Sequence, residues 1–78
     1  MKHPGIEVNE KIMFGKPVIK GTRIPVEQIL RKLGSGLSLS EILTQHPNLT
    51  KENVYAAEAY AADVISNEDI IFSSEPVS

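Results

Sequence analysis

The chain of 78 residues contains no cysteine, which excludes a disulfide framework and any thiolate metal site and makes a reducing cytoplasm the expected setting. No apolar run approaches the length of a signal-peptide core or a membrane-spanning helix, so no membrane partner is expected. Metal-ligand spacing is missing too: His3 and His46 have no cysteine partners, and the acids form no ligand-like cluster. The stretch from Gly15 to Gly21 is not a phosphate loop, because Lys16 precedes the closing glycine and no Lys-Ser or Lys-Thr pair follows. No cofactor is expected, and an enzyme is disfavoured. Cations are scarce in one half only. From residue 35 on, Lys51 stands alone against Glu41, Glu52, Glu58, Asp63, Glu68, Asp69 and Glu75, a net charge of −6. Before it, Lys2, Lys11, Lys16, Lys20, Arg23, Arg31 and Lys32 face Glu7, Glu10 and Glu27, a net charge of +4. This asymmetry points to two surfaces with different partners, although an uneven scatter of solvated charges gives the same count.

What is present in abundance is constraint around residues 15 to 25. Gly15-Lys16-Pro17-Val18-Ile19-Lys20-Gly21-Thr22-Arg23-Ile24-Pro25 holds three glycine or proline pivots within its first seven residues and three cations beside a short apolar core. Proline holds φ near one value and glycine tolerates positive φ, so a rigid turn-strand-turn is expected. Pro17-Val18-Ile19 and Thr22-Arg23-Ile24 flank Lys20-Gly21, the pattern of a two-residue hairpin with Gly21 at positive φ. Upstream, Ile6-Glu7-Val8 reads as a short strand, Asn9-Glu10 as a turn and Ile12-Met13-Phe14 as a second apolar segment.

Helical periodicity begins after Pro25, which is placed as a first helical residue. Val26, Ile29, Leu30 and Leu33 recur at the spacing of one helix face; Gly34 and Gly36 mark its end, and Arg31 and Lys32 fall in the last turn where the helix dipole favours cations. Ser38-Leu39-Ser40-Glu41 is a capping box with Leu37 and Ile42 as a hydrophobic staple, and Leu39, Ile42 and Leu43 form the buried side. Pro47 stops this helix after His46, whose place near the dipole's negative end fits a cap better than a ligand. Thr50 opens a third helix with the seam Val54, Ala57, Ala61, Val64 and Ile65 and a stop expected at Ser66-Asn67. Its other side carries Tyr55, Ala59 and Ala62 between acids, a surface that another helix could approach closely, or simply an alanine-rich stretch of high helix propensity. Beyond it, Asp69-Ile70-Ile71-Phe72 reads as a strand that adds to the N-terminal β segment of the same or a neighbouring chain.

These readings describe one mainly α domain: a β-rich basic arm over residues 1–25, a three-helix core of helix-turn-helix type over 26–66, and a tail over 67–78 with a strand at 69–72. So small a domain buries only about 60% of its unfolded surface, and its stability of roughly 4–12 kcal/mol would gain from a partner subunit. A homodimer is expected, with Tyr55, Ala59, Ala62, Ile70, Ile71 and Phe72 at its interface.

The segment from Gly15 through Val26, then Gly36-Leu37-Ser38 with Glu41-Ile42-Leu43, then Pro47-Asn48-Leu49-Thr50 and the alanine-rich helix, resembles the domain-of-unknown-function family 433. The resemblance runs from about Ile6 to Ala62. It implies a homeodomain-like or winged helix-turn-helix core and a VapB-like antitoxin paired with a PIN-like ribonuclease toxin. Lys16, Pro17, Gly21, Thr22, Arg23, Ile24 and Pro25 match the family signature, without a role attached to each. Lysine and arginine neutralise phosphates, so Lys16, Lys20, Thr22 and Arg23 are the candidate nucleic-acid contacts. The last helix is a poor fit to a major groove, since residues 51 to 66 carry one cation and three acids. A protein-interaction module that binds no nucleic acid is the rival reading, with Thr22 and Arg23 as purely structural residues.

Overall fold

The computed structural model describes residues 3–71, with side chains described through residue 67. A two-residue strand, β1 (Ile6–Glu7), leads through a 3-10 turn at Met13–Gly15 into a second strand, β2 (Val18–Ile19). Three helices follow: α1 (Val26–Gly34), α2 (Leu39–Gln45) and α3 (Lys51–Ile71). The strands pair antiparallel, Ile6 opposite Ile19 and Glu7 opposite Val18. Two residues per strand cannot hold a sheet in water by themselves. The ribbon is therefore secured by burial: Ile6, Val18 and Ile19 are all buried, and Ile6 and Ile19 join Val26, Ile29, Ile42, Leu49, Val54 and Ala57 in one core.

Local chemistry sets each helix boundary. Pro25, with φ −67° and ψ 142°, is the N-cap of α1 rather than its first turn. Ser35 caps the other end, and Gly36 follows at φ +104°, a left-handed value that glycine adopts without Cβ strain. At α2 the capping box is complete: the Glu41 N–H donates to Ser38 Oγ at 3.1 Å, and the Ser38 N–H donates to Glu41 Oε1 at 2.8 Å. Thr50 repeats the device at α3, where the Asn53 N–H donates to Thr50 Oγ1 at 3.2 Å and the Thr50 N–H to Asn53 Oδ1 at 2.9 Å. Hydrogen bonds from the Ser38 backbone and then its side chain hold the Glu41 carboxyl below its usual pKa. A carboxyl lowered on folding stabilises the fold above its unfolded pKa, and that contribution fades as pH falls through the lower folded value. Ser38→Ala should cost about 1 kcal/mol near neutral pH and leave a melt that is less sensitive to acid than the parent's. Melts of both proteins across the acid range check this, and parallel curves would refute it.

The third helix departs from expectation. It runs 21 residues, to Ile71, straight through Ser66-Asn67 and through Asp69, Ile70 and Ile71, so these three are helical and not a strand. Phe72 lies outside the described residues. Helix α3 is consequently about 31 Å long at 1.5 Å per residue. Its seam holds only in the first half: Val54 and Ala57 are buried, whereas Val64 and Ile65 are 37% and 57% exposed. Among the described residues, no helix is long and apolar enough to cross a membrane.

Candidate functional site

The signature segment folds into a loop that is stitched from within. Thr22 N–H donates to the Ile19 carbonyl at 2.9 Å across Lys20 and Gly21, and Gly21 has φ +82°. Lys20 is not at positive φ, so this is the type II pattern with glycine at the second central position. The expected two-residue hairpin is therefore replaced by a wider loop, closed where Ile19 N–H meets the Ile24 carbonyl at 3.0 Å; the strand partner of β2 is β1. The physical reason is Thr22. Its hydroxyl donates to the Ile19 carbonyl at 2.7 Å and accepts from the Ile24 N–H at 3.0 Å, bridging the two arms that a tight turn would have joined directly.

The four candidate nucleic-acid residues are thereby separated in role. Thr22 is half-buried with its hydroxyl engaged by backbone on both sides. Lys20 and Arg23 are exposed, and neither has a carboxylate within ion-pair distance among the described residues. Arg23 borders a concavity of about 490 Å³ with Ile12, Ile24 and Asn48, and Lys20 borders one of about 380 Å³ with Pro4, Ile6 and Val8. Glu7 lines both, which puts one negative charge between the two cations. Lys16 instead turns to α1: its ammonium is 3.6 Å from the Glu27 carboxylate, to which the Arg31 guanidinium also comes within 4.0 Å.

On α3, Tyr55, Ala59 and Ala62 are exposed on one side, as the periodicity required. Ile70 and Ile71 lie in the last helical turn. On the opposite side, a groove of about 290 Å³ runs between α1 and the free half of α3, walled by Pro17, Val26, Glu27, Leu30, Tyr60, Ala61, Val64 and Ile65. The other feature that sequence reasoning missed is the turn before β2. Met13 and Phe14 have φ +51° and +58°, left-handed values continued by Gly15 at +83°, and the Phe14 side chain is 97% exposed. Left-handed backbone costs an L-residue about 1–2 kcal/mol, and Gly15 was the one sequence signal of a turn there.

Two histidines tie segments together. The His3 ring meets Tyr60 edge-on at 5.5 Å, and its Nε2 donates to the Asp63 carboxylate at 2.6 Å, pinning the chain's start to α3. His46, at the end of α2, lies 3.1 Å from the Lys32 ammonium. Burial, and then the Lys32 charge, lower its pKa, so the ring is neutral and Nε2 accepts from the ammonium.

Residues 6–61 match the model of a family described as "Protein of unknown function (DUF433)". An uncharacterized protein y4eO of Sinorhizobium fredii is 36% identical over 50 residues, covering 64% of this chain and 23% of its own length. This chain therefore spans about a quarter of that relative. An uncharacterized protein of Archaeoglobus fulgidus is 67% identical over 24 residues, 31% of this chain and 67% of that protein. The crystal structure of a DUF433 member from Anabaena variabilis superimposes with a TM-score of 0.75 at 28% identity, covering 88% of this chain and 68% of the other.

Proposed function

This chain belongs to the DUF433 family, and from that premise and its own geometry we propose that it is a small regulator that binds nucleic acid through its N-terminal arm. In this reading it is the antitoxin half of a toxin-antitoxin pair, without catalytic activity, acting in the cytoplasm beside a PIN-like ribonuclease. The three helices are read as a homeodomain-like core. The observation that carries the proposal is the Lys20–Arg23 loop: fixed by Gly21 and the Thr22 hydroxyl, it holds two exposed cations with no carboxylate paired to them among the described residues. A preorganised pair of cations contacts phosphate without paying again for loop order. The acidic α3 is a poor groove reader, so the arm carries the binding.

Lys20→Ala and Arg23→Ala should each weaken duplex DNA binding and lower the slope of log K against log salt by about 0.9, with stability held within about 0.5 kcal/mol. Lys16→Ala should do less, since that ammonium already faces Glu27. Titrations in several salt concentrations, alone and with a PIN-like toxin, make the check. If the wild type shows no salt-sensitive binding in either arm, the nucleic-acid reading fails. The second reading, an interaction module that binds no nucleic acid, then stands, supported by the internal role of Thr22 and by the exposed apolar surface around Phe14 and the α1–α3 groove.

A further inference from the structure

The cation loop faces a charge that phosphate binding does not explain. Glu7 is half-buried and lines both the concavity that Arg23 borders and the one that Lys20 borders. A carboxylate set between two phosphate-binding cations repels the strand that they attract. Glu7 nevertheless pairs with neither cation, nor with any other among the described residues. A partly desolvated carboxylate without a partner is costly, and its oxygens are free to accept from the N–H donors of a ligand. Around it, the larger concavity of about 490 Å³ supplies apolar Ile12 and Ile24, the Arg23 guanidinium and the exposed Asn48 amide. We propose that this concavity is a guanine pocket, which takes one unpaired guanine of a nucleic-acid strand with Glu7 accepting from its N1–H and N2–H.

The donor set selects this base. On its Watson–Crick edge guanine presents two adjacent N–H donors, which the two oxygens of one carboxylate can take side by side. Adenine and cytosine present one donor beside an acceptor nitrogen there, and uracil and thymine one donor between two carbonyls. Each of those bases sets a lone pair against the carboxylate and leaves an oxygen of it unserved. Guanine's other edge carries O6 and N7, the acceptor pair that an arginine takes bidentately, and Arg23 lines the same concavity. Ile12 and Ile24 offer apolar surface to the base faces. Gly21 also lines the concavity, and with nothing within 4 Å of where its Cβ would sit, it leaves room for the ring. In this complex Arg23 turns from phosphate to base, while Lys20, on the neighbouring concavity that shares Glu7, keeps a phosphate. The base must be unpaired, because in a duplex its N1–H and N2–H are spent on cytosine. This inference rests on the nucleic-acid reading and names the form of nucleic acid that the arm prefers.

Fluorescence anisotropy with short labelled oligonucleotides makes the test. An adenine strand carrying one central guanine should bind the wild type about tenfold more tightly than the all-adenine strand. Inosine at that position lacks the N2 amino group and should lose most of the gain. Both comparisons use the unaltered protein, so they hold even if a variant does not fold. Glu7→Gln should erase the guanine preference and with it the inosine penalty. It should also strengthen binding to a duplex of the same length, because a charge that repels phosphate is gone. Effects of opposite sign on the two nucleic acids are not what a damaged fold gives, and a circular dichroism melt accompanies each variant. Lys20→Ala should weaken the guanine and adenine strands by the same factor, as a phosphate contact does. Salt-sensitive binding that is equal for guanine, inosine and adenine strands would overturn the pocket and leave the phosphate reading standing. Absence of salt-sensitive binding to every strand and to the duplex would overturn both. Guanosine monophosphate that competes as well as the strand would overturn the strand as the ligand.

Discussion

Ile42→Ala is expected to destabilise the protein by about 2–5 kcal/mol, the range for truncating a buried isoleucine and leaving a cavity. Helix α2 has only seven residues, and Ile42 is its one buried side chain, fully inaccessible and in the cluster with Ile19, Ile29 and Val54. Without it, the capping box holds a helix turn with little to hold it against. A domain of this length has a total stability of roughly 4–12 kcal/mol, so a large share is at stake. Chemical denaturation followed by far-UV circular dichroism should show a lower midpoint and, at the upper end of the range, a partly unfolded protein without denaturant. Ile65→Ala is the matched control: the side chain is 57% exposed, and the change should stay within about 0.5 kcal/mol. Equal losses at the two positions would mean that α3 packs along its whole length.

Thr22→Val is expected to cost about 1–3 kcal/mol, because the isosteric side chain removes both the acceptor for the Ile24 N–H and the donor to the Ile19 carbonyl. Thr22→Ser should restore most of the loss. Gly21→Ala, by comparison, should cost about 1 kcal/mol through backbone strain alone, since nothing lies within 4 Å of where a Cβ would sit. Hydrogen exchange at the Ile24 amide gives a local readout beside the melt. Were Thr22 a phosphate contact and not a brace, Thr22→Val would reduce DNA binding and leave both the melt and the Ile24 amide as they were.

Acid should act on the junction of α1 and α2. His46 has a lowered folded-state pKa, from burial and the Lys32 ammonium. Protonation is thus disfavoured in the fold, and the stability it disturbs is intact above the unfolded value and declines as pH falls below it. The Glu41 cap weakens in the same direction at lower pH.

Capping and stop signals were legible because they are satisfied within a few residues of themselves. Ser38 and Glu41 answer each other across three positions, Thr50 answers Asn53, and Pro47 removes the donor and clashes with the turn that would continue α2. The positive φ of Gly21 was legible for the same reason. Ser66-Asn67, by contrast, is only a weak stop, and neither residue carries the hard backbone constraint that proline imposes, so α3 continued through it to Ile71. The left-handed turn at Met13 and Phe14 left no local signal beyond Gly15, since nothing in either side chain prefers that conformation.

Periodicity marks a face of a helix without saying what covers it. The spacing of Val54, Ala57, Ala61, Val64 and Ile65 was sufficient to align them on α3, yet burial of the first two and exposure of the last two followed from how much of the rest of the chain covers each half of the helix. Likewise the residue types of the signature segment determined that it would be a stiff basic turn, while its division into a Thr22 braced between Ile19 and Ile24, a Lys16 paired with Glu27 on α1 and an exposed Lys20 and Arg23 came from the folded geometry. The sequence by itself determined the helices' starts, the caps and the apolar stripes, all of which depend on contacts within about one or two turns. The tertiary structure alone decided the β1–β2 pairing, the free half of α3 and the exposure of Phe14, because each depends on which distant surface is present to remove apolar area from water.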